Sequence, residues 1–245
     1  MIPQDLPRAL VAGGGAVTLV SAWGSDLDAV HTARCSFARY TLATDSTPTR
    51  LNERDQRLLA YLWREGHTSP FRHSSLTFLL HVPVFVLRQW QKHVIGCELN
   101  EASGSYVALG HETHEPAGAW RSAPEESVKQ GSGGPLDPEA QASADALYAE
   151  HVQRARATYN ALLALGVARE QARMALPLST LTQAVWSCSL QALVHFLQLR
   201  LHPHAQAETR DYAGAVLALT WQHAPQFRAS LRATLEPAHL AHLAD

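Results

Sequence analysis

Apolar residues recur along this 245-residue chain with two different periods, which together predict a mixture of strands and helices. Three apolar, β-branched runs predict strands at 16–22 (AVTLVSA), 75–82 (SLTFLLHV) and 180–188 (TLTQAVWSC). Apolar positions at helical spacing predict helices at 26–34, 52–65, 84–90, 140–165, 168–175, 189–201 and 205–220. Because the few strands do not alternate regularly with the helices, the pattern favours an α+β fold. We expect an antiparallel sheet flanked by helices, with a long helical region toward the C-terminus.

Polar and small residues mark where these helices begin and end. Asp26 and Asn52 are expected to cap the first two helices, and Gly66 to end the second. Pro83 stands at the start of the third helix, where a proline is tolerated. The stretch 116–138 is rich in Gly, Pro and Ser, so it predicts a long loop.

One domain accounts for most of the chain. Residues 1–15 are expected to form a flexible leader, residues 16–235 the domain, and residues 236–245 a C-terminal tail. The length and the 46% hydrophobic composition suffice for a sizeable core. No GxGxxG motif follows a strand, so a dinucleotide would not bind in a Rossmann pocket.

Charge and cysteine content exclude several classes of protein. A net charge of −2 argues against a general nucleic-acid binder, and no apolar run approaches the roughly 18 residues that suggest a membrane span. The three cysteines include no CxxC pair, which favours reduced thiols in a cytoplasmic protein. His111 and His114 miss the HExxH spacing by one residue, so no metal site is expected.

The densest run of polar residues, at 88–106 (RQWQKHVIGCELNEASGSY), follows a predicted buried helix. Buried polar groups need partners, so this run predicts a binding site. Arg88 and Lys92 are four residues apart, as are Gln89 and His93, which would place each pair on one helical face.

The second half of this run offers groups that suit a nucleotide. Ser103 and Ser105 offer hydroxyls to a phosphate, and Gly104 permits close approach of a ligand to the backbone. Glu101 offers a carboxylate to a ribose or a ring nitrogen. Taken alone, the segment 100–105 predicts a helix cap or turn. Cys97 has only His93 as a basic neighbour in sequence, which favours an inert thiol.

A second polar pattern lies in the predicted helix 189–201. Gln191, His195 and Gln198 recur at i, i+4 and i+7, and Arg200 follows them. The stripe is either a site or a solvent-exposed face. Arg173, in an apolar setting, adds a cation of the kind that pairs with carboxylate or phosphate when buried.

The order of several segments resembles the flavin-dependent thymidylate synthase family, from about Val17 to about Gln226. Besides the polar run, the resemblance is carried by 33–37 (ARCSF), 66–73 (GHTSPFRH), 85–90 (FVLRQW), 129–132 (KQGS), 172–178 (ARMALPL) and 196–206 (FLQLRLHPHAQ). It implies a homotetramer that binds FAD between its subunits. It also implies that NADPH reduces the FAD, and that methylenetetrahydrofolate gives its methylene group to dUMP.

The resemblance also implies roles for individual residues. Arg200 would be catalytic, stabilising uracil ionised at N3. The residues that would bind the nucleotide are Gln89, Lys92, Glu101, Ser103, Gly104, Ser105, Arg173 and Arg200. Those that would contact the flavin are Ser69, Lys92, His93, Glu101, Ser189, Gln191 and His195, with His67 nearby.

The chain departs from the usual family pattern mainly by losing positive charge. Lys92-His93-Val94 stands where Arg-His-Arg is usual, and Ser105 replaces an arginine. Ser189, Gln191 and His195 stand where Asn, Arg and Asn are usual. These changes predict weaker FAD binding or a different acceptor. Two alternatives therefore stay open: a related C5-methylase of another pyrimidine nucleotide such as UMP, and a non-catalytic nucleotide-binding oligomer.

Overall fold

A computed structural model describes residues 5–39, 50–108, 112–116, 118, 120–124 and 131–243. Within these ranges it contains five strands: β1 (Arg8–Val11), β2 (Gly15–Trp23), β3 (Ser75–Pro83), β4 (Cys97–Glu101) and β5 (Leu181–Ser189). The same ranges contain nine α-helices: α1 (Asp26–Cys35), α2 (Glu53–Arg64), α3 (Val84–Trp90), α4 (Pro138–Ala164), α5 (Arg169–Ala172), α6 (Leu190–Arg200), α7 (Ala207–His223), α8 (Arg228–Thr234) and α9 (Pro237–Leu240).

The strands form one antiparallel sheet in the order β1-β2-β3-β5-β4. β3 lies between β2 and β5, and its side chains alternate between buried and partly buried positions because successive residues point to opposite faces. The three strands predicted from sequence are β2, β3 and β5, and their bounds agree closely. The α+β prediction, with its C-terminal helical region, is confirmed.

Two strands were not predicted. β1 lies within the expected leader and pairs with β2 through a turn in which Gly13 and Gly14 adopt positive φ. β4 ends at Glu101, within the segment 100–105 expected to be a helix cap or turn, and a turn follows it at 103–106. Cys97 and Leu99 are partly buried in β4 while Glu98 and Asn100 are exposed, so the strand has the expected periodicity, but it is too short to be distinctive.

One predicted helix cap is confirmed and the other is wrong. Asn52 accepts a hydrogen bond from the Asp55 amide at 3.0 Å. For α1 the cap is Ser25, which accepts from the Asp28 amide, whereas Asp26 is buried and accepts from the backbone and hydroxyl of Ser230. Burial raises the pKa of Asp26 to about 6 despite these hydrogen bonds. Asp26 therefore joins α1 to α8.

The helices α3, α6 and α7 cover one face of the sheet through a cluster of aromatic side chains. Trp90 stacks on Phe196 with ring centroids 4.5 Å apart and meets Trp186 edge-on at 5.2 Å. Each of these side chains is fully buried, which contributes roughly 1.5–3 kcal/mol apiece. Because Trp90 ends α3 and Phe196 lies within α6, the cluster holds these two helices side by side.

The C-terminal half is largely helical. α4 agrees with the predicted 140–165 helix, but it buries only Ala155 and Tyr159 along its 27 residues. Within the expected C-terminal tail, Leu240 of α9 and the following Leu243 pack against the core. In the described part of the chain, no helix is both long and apolar enough to cross a membrane.

Candidate active site

Arg200 lies at the C-terminal end of α6, and two elements position its guanidinium. Its Nε donates to Nε2 of His93 at 2.9 Å, and one terminal nitrogen donates to the Gln89 carbonyl at 3.0 Å. Burial lowers the pKa of Arg200. α3 ends at Trp90, so His93 lies beyond the helix on which it was predicted to share a face with Gln89; the two residues meet at Arg200 instead, Gln89 through its backbone carbonyl and His93 through its ring. Arg88 and Lys92, the other predicted pair, are exposed.

His93 is neutral at this position. Burial lowers its pKa to about 4, and the positive charge of Arg200 and the neighbouring His195 act in the same direction. A neutral ring accepts the Arg200 hydrogen bond at Nε2, so its proton resides on Nδ1. His93 consequently orients Arg200 without adding charge.

The Gln89 side chain is also held in place. Its amide nitrogen donates to Oε1 of Gln206 at 2.5 Å, and its oxygen accepts from the hydroxyl of buried Thr209 at 3.3 Å. These two contacts fix the orientation of the amide, with its nitrogen toward Gln206 and its oxygen toward Thr209. Gln89 is thus a fixed hydrogen-bonding group beside Arg200.

A cavity of about 910 Å³ opens next to Arg200 and Gln89. Its wall includes two further arginines, Arg121 and Arg210, and the segment 131–133. Arg121 donates to Glu208 at 2.6 Å and to Ser132 at 2.8 Å. Three guanidinium groups around one cavity favour an anionic ligand such as a phosphate ester.

Sequence reasoning assigned no role to Arg121, Gln206 or Arg210. Gln206 ends one of the segments that resemble the family, which is a usable signal. Arg121 lies in the Gly-rich loop, and its ion pair with Glu208 of α7 connects it to the helix beside the cavity. Nothing local in the sequence indicates that pairing.

Three of the predicted flavin contacts, Ser69, Ser189 and Gln191, lie near the N-terminal end of α6. Ser189 caps α6 by accepting from the Ala192 amide at 3.2 Å, and Gln191 accepts from Nε of Arg72 at 2.6 Å. Arg72 ends a short 3₁₀ turn that begins at Ser69. The turn also borders a cavity of about 690 Å³, together with His67.

His195 and Gln198 test the predicted polar stripe on α6. Both are exposed, with the His195 ring 5.9 Å from that of His93 and the Gln198 amide donating to the Thr234 carbonyl. Gln198 therefore connects α6 to α8. We call the set that lies along α6 the α6 group: Ser69, Gln89, His93, Ser189, Gln191, His195 and Arg200.

The remaining predicted nucleotide contacts lie elsewhere in the chain. We call them the β4 group: Glu101, Ser103, Gly104, Ser105 and Arg173. Within it, the Ser103 hydroxyl accepts from the Ser105 amide at 3.2 Å, and Gly104 is buried in the turn after β4.

Arg173 does not have the environment that the sequence suggested. It is exposed, and its Nε donates to the Glu170 carbonyl one turn earlier at 3.3 Å. Nearby, Arg169 donates to the Tyr106 carbonyl at 3.2 Å, which holds the turn after β4 against α5. Arg173 thus stands beside the β4 turn, but not buried in it.

Neither of the two cavities that border the α6 group is lined by any residue of the β4 group. The β4 group is instead accompanied by exposed apolar side chains, since Tyr106 is 81% and Met174 80% exposed. In the described part of the chain, the two groups therefore share neither of these cavities.

Comparison with known proteins identifies relatives of this chain. The sequence profile of the thymidylate synthase complementing protein (Thy1) family matches residues 18–226. The chain is 39% identical over 223 residues to a flavin-dependent thymidylate synthase of Thermus thermophilus, covering 91% of this chain and 76% of that protein. It is 36% identical over 215 residues to that of Thermotoga neapolitana, covering 86% of this chain and 88% of that protein.

Solved structures give a concordant result. The UMP/dUMP methylase PolB from Streptomyces cacaoi bound with 5-Br UMP superposes with a TM-score of 0.76 at 28% identity, covering 91% of this chain and 95% of that chain. The same enzyme bound with 5-Br dUMP gives 0.75 at 30% identity, with 92% and 96% covered.

Proposed function

This chain belongs to the flavin-dependent thymidylate synthase family, and we propose that it methylates dUMP to dTMP in the cavity beside Arg200. Methylenetetrahydrofolate is the proposed carbon donor, and NADPH reduces the bound FAD. The observation that carries the proposal is the Arg200 guanidinium, which His93 and the Gln89 carbonyl orient at the edge of a cavity of about 910 Å³. That volume lies within the range of small-molecule sites.

Arg200 is suited to stabilise negative charge on a pyrimidine. Methylation at C5 requires electron density on the ring, which ionisation at N3 supplies. A preoriented guanidinium in a partly desolvated site stabilises the charge more than water does. Because His93 stays neutral, Arg200 supplies the positive charge there, and His93 serves to position it.

The surroundings of the α6 N-terminus fit a flavin nucleotide. Ser189, Gln191 and Arg72 offer polar contacts there, and a helix N-terminus favours phosphate. The adjoining cavity of about 690 Å³ is lined by the rings of Tyr61 and His67, which offer faces for a flat ligand. FAD, when bound, supplies the redox chemistry of the reaction. The protein's part is to bind and orient.

We further propose that the active site is completed by a second subunit in a cytoplasmic homotetramer. The β4 group is separate from the α6 group within one chain, so a nucleotide that uses both must lie between chains. The exposed Tyr106 and Met174 beside the β4 group would be buried by that contact. The sparsely buried helix α4 offers a further surface for association.

UMP is the second candidate acceptor. It is supported by the likeness to PolB, whose structures hold analogues of both UMP and dUMP. The missing charges at Val94 and Ser105 also allow a different arrangement of the nucleotide phosphate. A non-catalytic oligomer is less well supported, because the relatives and the structural neighbour are enzymes and Arg200 is held in place.

The test combines absorption spectroscopy with turnover. We expect the purified protein with FAD to show visible flavin bands that shift on addition of dUMP, and to form dTMP when NADPH and methylenetetrahydrofolate are present. A reaction without the folate is the control. Absence of dTMP under these conditions would contradict the proposal, while faster methylation of UMP than of dUMP would select the second acceptor.

A further inference from the structure

Two of the three cysteines face each other across the β4–β5 pair. Cys97 and Cys188 are directly opposite in the antiparallel register. The Ser189 amide donates to the Gly96 carbonyl at 2.8 Å at one end of the ladder, and the Ala102 amide donates to the Gln183 carbonyl at 2.7 Å at the other. Since hydrogen-bonded and non-hydrogen-bonded pairs alternate, both ends place the two cysteines in a non-hydrogen-bonded pair.

That position brings the two thiols within reach of a bond. Opposite residues in a non-hydrogen-bonded pair have Cα atoms about 4.5 Å apart, with their side chains on the same face. A disulfide requires Cα atoms roughly 4.4–6.8 Å apart, so the pair lies at the short end of the permitted range. Disulfides near that limit are more easily reduced than relaxed ones. We propose that Cys97 and Cys188 are the site of a reversible disulfide that links β4 to β5.

The two cysteines differ in access, which sets the order of the chemistry. Cys97 is partly exposed on the edge strand, whereas Cys188 is 2% exposed. The Cys97 thiolate attacks a sulfur of a small disulfide oxidant, such as oxidised glutathione, and one glutathione thiol leaves. The Cys188 thiolate then attacks the Cys97 sulfur and releases the second glutathione. Each glutathione leaves as a thiolate and takes up a proton, so two electrons and two protons pass overall from the cysteine pair to the oxidant, which becomes two glutathione thiols.

Protonation keeps the pair reduced under ordinary conditions. Burial raises the pKa of the Cys97 thiol, with a contact from Trp186 acting in the opposite direction, and burial raises that of Cys188 further. Because the thiolate is the reactive species, formation of the disulfide accelerates as pH rises.

The linkage would act directly on the proposed flavin site. Gly96 and Ser189 are the residues next to the cysteines, and a Cβ added at Gly96 would lie 2.8 Å from the Ser189 hydroxyl. A disulfide would hold the strands at this close spacing, and it would therefore constrain the adjoining cap of α6 and the turn that carries His93. This consequence rests on the proposed function, whereas disulfide formation does not.

The experiment treats the native Cys35→Ser protein with oxidised glutathione at mildly alkaline pH, which removes the exposed third cysteine from the chemistry. We expect both remaining thiols to become inaccessible to alkylation after denaturation, and a peptide that joins Cys97 to Cys188 to appear in a non-reducing digest. Dithiothreitol should restore both thiols. Two alkylatable thiols after prolonged oxidation would overturn the proposal.

Matched variants separate the steps. In a Cys35→Ser background, Cys188→Ala should stop at a glutathione adduct on Cys97, and Cys97→Ser should stay unmodified. If Cys188→Ala does not fold, Cys97→Ser still shows whether Cys188 reacts without its partner, which would contradict the proposed order. FAD affinity, measured by flavin fluorescence, should weaken several-fold on oxidation and recover on reduction. Unchanged affinity after full oxidation would overturn the effect on the flavin site but leave the disulfide established.

Discussion

The α6 group and the β4 group both contain residues predicted to bind the nucleotide, Gln89 and Arg200 in the former, yet the two groups differ in how firmly the chain holds them. In the α6 group, Arg200, His93 and Gln89 form a connected set of hydrogen bonds, and burial shifts the pKa of Arg200 and of His93. In the β4 group, Glu101 and Arg173 are exposed. The α6 group is thus organised by contacts within the chain, whereas Glu101 and Arg173 of the β4 group remain exposed to solvent.

The difference follows from the elements that carry each group. α6 is capped by Ser189 and packs its Phe196 against Trp90, so side chains along it have fixed neighbours. β4 is a five-residue edge strand paired only with β5, followed by a turn with mainly local hydrogen bonds. Preorganised groups stabilise a transition state without reordering, which predicts that catalysis depends more steeply on the α6 group.

The largest expected effect comes from Arg200→Ala. Removing the guanidinium takes away the charge that the pyrimidine requires, and we expect kcat to fall by about 10²- to 10³-fold. The measurement is dTMP formation at saturating dUMP. Arg57→Ala is the control, because the Arg57 side chain is 74% exposed on α2, where it forms an ion pair with Glu53 of the same helix. A loss of less than tenfold would show that another group stabilises the charge.

Mixing of two inactive variants tests whether the groups meet between chains. Arg200→Ala disables the α6 group and Arg173→Ala disables the β4 group. If each site takes one group from each of two subunits, co-refolded hybrids contain about a quarter of intact sites and should regain a corresponding share of activity. As a control, the double variant that carries both substitutions in the same chain should stay inactive. Hybrids that regain no activity would place both groups in one chain's site.

The same contrast explains what could be predicted from sequence. Three strands and the long helices follow from residue periodicity. β4 was missed because two partly buried residues, Cys97 and Leu99, are too few to establish a period. Arg121 was missed because its place depends on an ion pair with Glu208, some 87 residues away in sequence.

Burial was the property least accessible to sequence reasoning. Arg173 has apolar neighbours in sequence, yet it points to solvent from the end of a short helix. Asp26 has the sequence context of a helix cap, yet Ser25 caps α1. The Asp26 carboxylate instead accepts a hydrogen bond from the Ser230 amide. Both outcomes depend on the tertiary neighbours, which no local pattern encodes.

A smaller effect concerns the pH dependence of the free energy of unfolding, which reports the burial of His93 in the α6 group. Folded His93 has a pKa near 4, whereas its unfolded value is near 6.5. Between these values the unfolded chain binds a proton that the folded chain does not, so the contribution of His93 to stability declines as pH falls through that window. We expect His93→Gln, measured by urea unfolding from neutral pH to pH 4, to lose stability less steeply than wild type. The same change at exposed His223 is the control, and equal slopes for all three proteins would contradict the assigned burial.

The smallest expected effect restores charge to the β4 group. Ser105→Arg places a guanidinium in the turn after β4, where the family usually has one, and a charge-assisted contact to the nucleotide phosphate would form there. We expect the KM for dUMP to fall several-fold with little change in kcat, because the contact is made in the ground state and the transition state alike. Ser105→Gln has a long polar side chain without the charge, so it should leave KM near the wild-type value. A decrease in KM for both variants would assign the effect to packing of the turn, and a decrease for neither would place the phosphate away from β4, toward Arg121 and Arg210.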